Sequence, residues 1–152
     1  YGPQEHHKGK MASIFYQLYH QIMETGEARL FRGTDGLADG EQRRDFVYVG
    51  DVVRVNLHFF EHGGESGVYN CGTGVAHSYN EAARAVIAAL GKGKIVYRDF
   101  PEVLRGKYQN YTQADTTALL AAGYDGGFTP MEEAVKEYCA FLTAGGYFPY
   151  AE

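Results

Sequence analysis

Between Met11 and Glu24 the apolar residues Met11, Ile14, Phe15, Leu18, Ile22 and Met23 recur at spacings of three and four. That is the pattern of a helix with one buried stripe, and Gly26 supplies its stop. Arg29 to Phe31 reads as a short strand, and the glycine-rich stretch 33–40 as an exposed loop. Phe46 to Val49 is branched and alternating enough for a second strand, after which Asp51 is expected to cap a helix carrying Val52, Val55, Leu57, Phe59 and Phe60 to Gly63. A second strand-helix unit follows. Val68 to Cys71 is the strand, Gly72-Thr73-Gly74 the turn, and Ser78 with Glu81 a capping box that opens a helix from Tyr79 to Leu90. The buried face of that helix should be Ala82, Ala83, Val86, Ile87 and Leu90, with Gly91 as its end and a strand at Ile95 to Tyr97. A loop over 100–111 leads to a short helix near Thr116 to Ala121. Thr129, Pro130 and Glu132 begin a last helix that buries Ala134, Val135, Tyr138 and Leu142. Strands alternating with helices indicate an α/β fold. The tail 145–152 reads as loosely held, with Tyr147, Phe148 and Tyr150 packing on a neighbour.

Composition narrows the class without naming a ligand. The 152 residues are 45% hydrophobic and 22% charged, enough for a single domain with its own core. Fourteen Lys and Arg against 19 Asp and Glu give a net charge of -5, which argues against a sequence-independent attraction to nucleic acid. Any bound anion must therefore be held locally. Cys71 and Cys139 show no metal-ligand spacing and are expected to be buried thiols of a reducing compartment. With neither a long apolar run nor a signal peptide, the expectation is a cytoplasmic protein with no membrane partner. The chain opens at Tyr1 in loop-like sequence, so further chain is expected upstream.

Two segments suggest chemistry. The opening run from Tyr1 to Ser13 places His6, His7 and Lys8 in a loop just before a helix start, where unpaired N–H groups attract anions. Adjacent histidines do not share a face and have no third ligand at metal spacing, so no metal site is expected. Gly72-Thr73-Gly74 stands between a predicted strand and a predicted helix, as a dinucleotide fingerprint does, but His77 occupies the place of the third glycine. A tight reversal of the chain explains that turn better.

The order of these blocks is specific. Tyr1-Gly2-Pro3, then His7-Lys8-Gly9 and Met11-Ala12-Ser13, resembles the signature of the ADP-glycero-manno-heptose 6-epimerases. The run Arg43 to Asp51 and the block Tyr69 to Gly74 are similar to segments shared by all extended short-chain dehydrogenases/reductases, and Arg105 to Gln109 with Thr112 to Asp115 again resembles the heptose epimerase branch. The resemblance covers Tyr1 to about Leu142. It implies an α/β substrate-binding C-terminal part of an extended short-chain dehydrogenase/reductase, 1–152 forming one domain, with the N-terminal Rossmann segment missing. It also implies an ADP-sugar substrate, NADP as cofactor and a homo-oligomer for the whole protein.

Residue by residue, the resemblance implies that Lys8 is a catalytic acid/base beside the nicotinamide. Arg44 and Tyr108 would contact substrate, as would Phe31, Arg32, Gly33 and Thr34, where an adenine would lie. Lys10 and Gln17 stand where the family carries a substrate-contacting serine and a histidine, and the loop 36–42 is longer than the family's. A guanidinium is the planar, permanently charged fork a diphosphate requires. An ammonium such as that of Lys8 serves as a base only when desolvation and a neighbouring positive charge lower its pKa. The implied reaction inverts a hydroxyl-bearing carbon by oxidation and re-reduction. The tyrosine of the family's Tyr-x-x-x-Lys motif would be its other acid/base, and no tyrosine of this chain has a lysine four residues later. The chain alone is thus expected to be inactive, with Lys8 and Arg44 converging on one pocket. A nucleotide-sugar-binding module without redox activity, or a related epimerase or dehydratase acting on another nucleotide-sugar, remain alternatives.

Overall fold

A computed structural model describes residues 1–146. Helix α1 (Ile14–Thr25) starts where the Ser13 hydroxyl accepts the Tyr16 N–H, and stops at Gly26, whose positive φ of 73° a side chain would strain. Phe15, Leu18, Tyr19 and Ile22 form its buried stripe, whereas Met11 and Met23 are exposed, so the stripe is narrower than the periodicity predicts. Strand β1 (Glu27–Phe31) follows directly and pairs in parallel with β4 (Lys94–Arg98). The small alanines of α3 (Tyr79–Leu90) let it lie close against α1 on one side and α5 (Met131–Thr143) on the other. The main core is therefore Phe15, Leu18 and Ile22, Ala28 and Leu30, Ala82, Ala83 and Val86, and Val135 with Tyr138. The predicted capping box is present, with Ser78 Oγ accepting the Glu81 N–H and Glu81 accepting the Ser78 N–H. Ile87, Leu90 and Leu142 are half-buried at the edge of the core.

Three expectations are corrected. Residues 46–48 are extended and meet only the single residue Tyr1, whose amino group donates to the Val47 carbonyl at 2.9 Å, so the strand of that region is β2 (Arg43–Arg44), antiparallel to β3 (His77–Ser78). Residues 68–71 form no strand either. Helix α2 (Val49–His62) begins two residues before Asp51, so Asp51 does not cap it. That carboxylate is instead fully buried and reaches across the fold, accepting the Thr129 N–H at 3.0 Å and the Thr129 hydroxyl at 2.7 Å, with Arg54 beside it. It thereby anchors the turn that leads into α5. A smaller cluster of Val55, Leu119 and Tyr124 lies beneath α2 and the short helix α4 (Thr117–Ala121). Cys139 is buried and Cys71 half-buried; burial pushes both thiols up, Cys139 to about 11, so neither is a reactive thiolate. Tyr147, Phe148 and Tyr150, expected to pack on a neighbour, lie outside the described residues.

The Gly72-Thr73-Gly74 turn has a definite occupant. The Asp45 carboxylate accepts the N–H of Thr73 (2.9 Å), of Gly74 (2.8 Å) and of Ala114 (3.1 Å), together with the Thr73 hydroxyl (2.7 Å). A side chain at Gly72 would collide with Ala114 and Asp45, so glycine is required there by close approach. Replacing Asp51 by Ala should strand the Thr129 N–H in the interior and cost about 2–4 kcal/mol in a urea titration. An exposed carboxylate such as Glu133 should cost less than about 0.5 kcal/mol when changed to Ala.

Candidate functional site

A cavity of about 240 Å³ lies where α1, the C-terminal ends of β1 and β4, the start of α3 and the loop 105–111 meet. Gln17 comes from α1, Phe31 from β1, Arg98 from β4, Tyr79 from the first turn of α3 and Tyr108 from the loop. Its aromatic wall is a set of edge-to-face rings. Phe31, Phe100 and Tyr108 pack with centroids 5.3 to 6.5 Å apart, an arrangement that ring quadrupoles favour. Arg44 lies against this wall, its guanidinium carbon 5.2 Å from the Tyr108 centroid and 6.0 Å from that of Tyr79. Its N–H groups donate to the backbone carbonyls of Arg43 and Gln109. Gln42 is buried in the wall, with one long bond of 3.5 Å to the Arg32 carbonyl.

Tyr79 is a functional candidate that sequence reasoning missed. The Tyr108 hydroxyl donates to that of Tyr79 at 2.9 Å. Burial, and then this bond, push the Tyr108 phenol well above the usual tyrosine range, so it remains a proton donor at any physiological pH. The Tyr79 proton is left for another acceptor. Nothing local in the sequence marks this, because the pairing joins a helix start to a remote loop.

The expected site residues are placed unevenly. Gln17, Phe31 and Tyr108 line the cavity, and Arg44 borders it. Lys8, Lys10, Arg32, Gly33 and Thr34 are not among its lining residues. Arg32 faces Asp39 and Asp99, the Gly33 N–H donates to Asp39 at 2.8 Å, and the Thr34 carbonyl accepts the Leu37 N–H, so this loop is largely closed on itself. Lys8 sits on a 3-10 segment (His6–Met11) ahead of α1, its ammonium 3.7 Å from Glu5. The Gln17 side chain joins that segment to the cavity wall by donating to the carbonyls of Lys10 and Ala12. A separate cavity of about 320 Å³ beside Phe46, Thr73 and Phe128 contains none of the expected residues.

Glu5 fixes the segment that carries Lys8. Only 5% exposed, it accepts the Ser13 N–H (2.9 Å) and hydroxyl (2.6 Å) and the Tyr138 hydroxyl (2.9 Å). Burial alone would raise its pKa, but the bonds from Ser13 and Tyr138 outweigh that and leave it below the ordinary value.

Residues 1–72 match the model of the NAD dependent epimerase/dehydratase family. The chain is 54% identical over 138 residues to an ADP-L-glycero-D-manno-heptose-6-epimerase of Alkalilimnicola ehrlichii, covering 91% of this chain and 43% of the relative. It is 47% identical to the protein of that name from Thiobacillus denitrificans, covering 91% and 46%. The crystal structure of the Helicobacter pylori ADP-L-glycero-D-manno-heptose-6-epimerase superposes with a TM-score of 0.78 at 33% identity, over 95% of this chain and 42% of that one. Over residues 1–72 the chain thus resembles the NAD dependent epimerases and dehydratases. In sequence it is similar to the ADP-L-glycero-D-manno-heptose-6-epimerases, and it spans less than half the length of the curated relatives it matches.

Ionised Glu5 has a depressed folded-state pKa. It therefore stabilises the fold fully above the ordinary glutamate value of 4.5, and that contribution drains away as pH falls below it. Glu5→Gln should lower the urea midpoint at pH 7 and flatten its decline between pH 5 and pH 3. A decline as steep as in the unsubstituted chain would show that another group carries the acid sensitivity.

Proposed function

We propose that the chain is the substrate-binding part of an ADP-glycero-manno-heptose 6-epimerase, the portion C-terminal to a nicotinamide-binding segment, that acts in the cytoplasm on precursors of lipopolysaccharide. The observation that carries this reading is Arg44, a guanidinium without a carboxylate partner among the described residues, laid on the rings of Tyr108 and Tyr79, two residues that line a cavity. An arginine stacked on rings, held by two backbone carbonyls and keeping its remaining N–H groups, suits a diphosphate. The homology to ADP-heptose epimerases supports the sugar.

Inverting a carbinol carbon by oxidation and reduction removes a hydride and a hydroxyl proton and returns both on the other face. The hydride carrier is NADP on the resemblance, with Lys8 beside it; the glycine turn 72–74 would not hold it, because Asp45 fills that turn and no third glycine continues it. The part assigned to this chain is to hold the nucleotide through Arg44, Tyr108 and the segment Phe31, Arg32, Gly33 and Thr34, with Lys10 and Gln17 toward the sugar. Lys8 would move a proton at the reacting carbon. The chain alone would bind without turnover, and the longer protein would act as a homo-oligomer.

Calorimetry on the 152-residue chain tests the binding half. ADP should bind at least tenfold more tightly than UDP or dTDP, and Arg44→Lys should weaken it about tenfold through loss of the fork. Equal affinity for the three nucleotides would remove the adenine assignment. In a longer polypeptide that also carries the nicotinamide site, Lys8→Met should lower kcat by about 10²- to 10⁴-fold while ADP affinity stays within about twofold.

A further inference from the structure

Most arginines of this chain face a carboxylate. Arg29 meets Glu27, Arg32 meets Asp39 and Asp99, Arg43 meets Glu41 and Glu81, Arg54 meets Asp51, and Arg105 meets Glu102. Among the described residues Arg44, Arg84 and Arg98 have no such partner, and Arg44 and Arg98 stand on the aromatic wall of one cavity. Arg98 is aimed there by strand register. It is the Cα partner of Phe31 in the parallel β1/β4 pair, so the two side chains leave the same face, and the Arg98 guanidinium carbon lies 4.9 Å from the Phe31 centroid. Phe31 is in turn 6.5 Å from Tyr108, the ring on which Arg44 rests. In a protein of net charge -5, two unneutralised guanidiniums beside one cavity form a local positive field.

We infer that Arg98 is a second phosphate-binding group, and that the cavity holds the diphosphate of its nucleotide between Arg98 and Arg44. Like the reading above, on which it rests, this concerns the cavity of Phe31 and Tyr108; it adds a residue that neither the motifs nor the resemblance selects. Packing on Phe31 removes water from one face of the Arg98 guanidinium and holds it in place, so a phosphate oxygen meets a positioned donor. A diphosphate offers charge to both guanidiniums and a monophosphate to only one. The cavity should therefore distinguish ADP from AMP more strongly than a site with one arginine does.

The test is calorimetry on the 152-residue chain with ADP, AMP, adenosine and inorganic pyrophosphate. Arg98→Gln should weaken ADP and pyrophosphate by about tenfold or more, narrow the preference for ADP over AMP, and leave adenosine unchanged. Arg98→Lys, which keeps the charge and loses the fork, should fall between, and it serves as the reading if Arg98→Gln fails to fold by circular dichroism. Arg84→Gln, the same change of charge on an exposed arginine of α3, should leave all four ligands as they were. ADP affinity unaltered by both Arg98 substitutions would overturn the inference while leaving the nucleotide reading intact. An equal loss of adenosine would overturn it too, placing Arg98 at the nucleoside. No binding of any of the four by the unsubstituted chain would overturn the nucleotide reading and this inference with it.

Discussion

The parallel pairing of β1 with β4 sets the geometry of everything that could bind a ligand here. One face of β1 sends Ala28 and Leu30 into the core beneath α1 and α3, and the other presents Arg29 and Phe31. Because side chains alternate across a strand, burial of the first face fixes the second. A slip of one residue would bury Phe31 and expose Leu30, so the core holds the register and the register holds the cavity wall. Phe31 and Arg98 meet for that reason and not through any local motif.

Among the described residues two short two-stranded sheets offer few ladder bonds, and carboxylates take over part of that work. Glu5 joins the start of α1 to α5, Asp45 joins β2 to the Gly72-Thr73-Gly74 turn and to Ala114, and Asp51 joins α2 to the turn before α5. Each accepts backbone N–H groups that would otherwise be unsatisfied, and charge-assisted bonds of this kind are stronger than neutral ones. Asp45 has a further consequence. By filling the glycine turn it gives that turn a structural use within the chain.

The aromatic wall and its arginines come from segments far apart in the chain. Phe31 ends β1, Tyr79 begins α3, Arg98 ends β4, and Tyr108 belongs to a loop stabilised by its own rings against Phe100. Lys8 is held apart from that wall on the 3-10 segment, with Gln17 as the hydrogen-bonded link between them. The groups proposed for binding and for proton transfer thus stand on two pieces joined through the Gln17 side chain of α1.

Local sequence determined those elements whose signals are local. The three-four spacing in α1, the Ser78 and Glu81 box opening α3, the glycines at 26 and 91, and the start of α5 near Pro130 all have their cause within a few residues, and the structure contains each. Arg44 and Tyr108 could be selected because they stand inside blocks whose order resembles a known family, and Phe31 only by residue-wise carry-over between such blocks. The strands expected at 46–49 and 68–71 had the right composition, but a strand also needs a continuous hydrogen-bonded neighbour; among the described residues 46–49 meets only Tyr1, and 68–71 joins no ladder. Tertiary structure alone decided that Asp51 reaches Thr129 instead of capping α2, that Tyr79 shares a proton network with Tyr108, and that Arg98 faces the cavity. These depend on which distant backbones lie side by side, and long-range register leaves no periodic trace in either segment by itself.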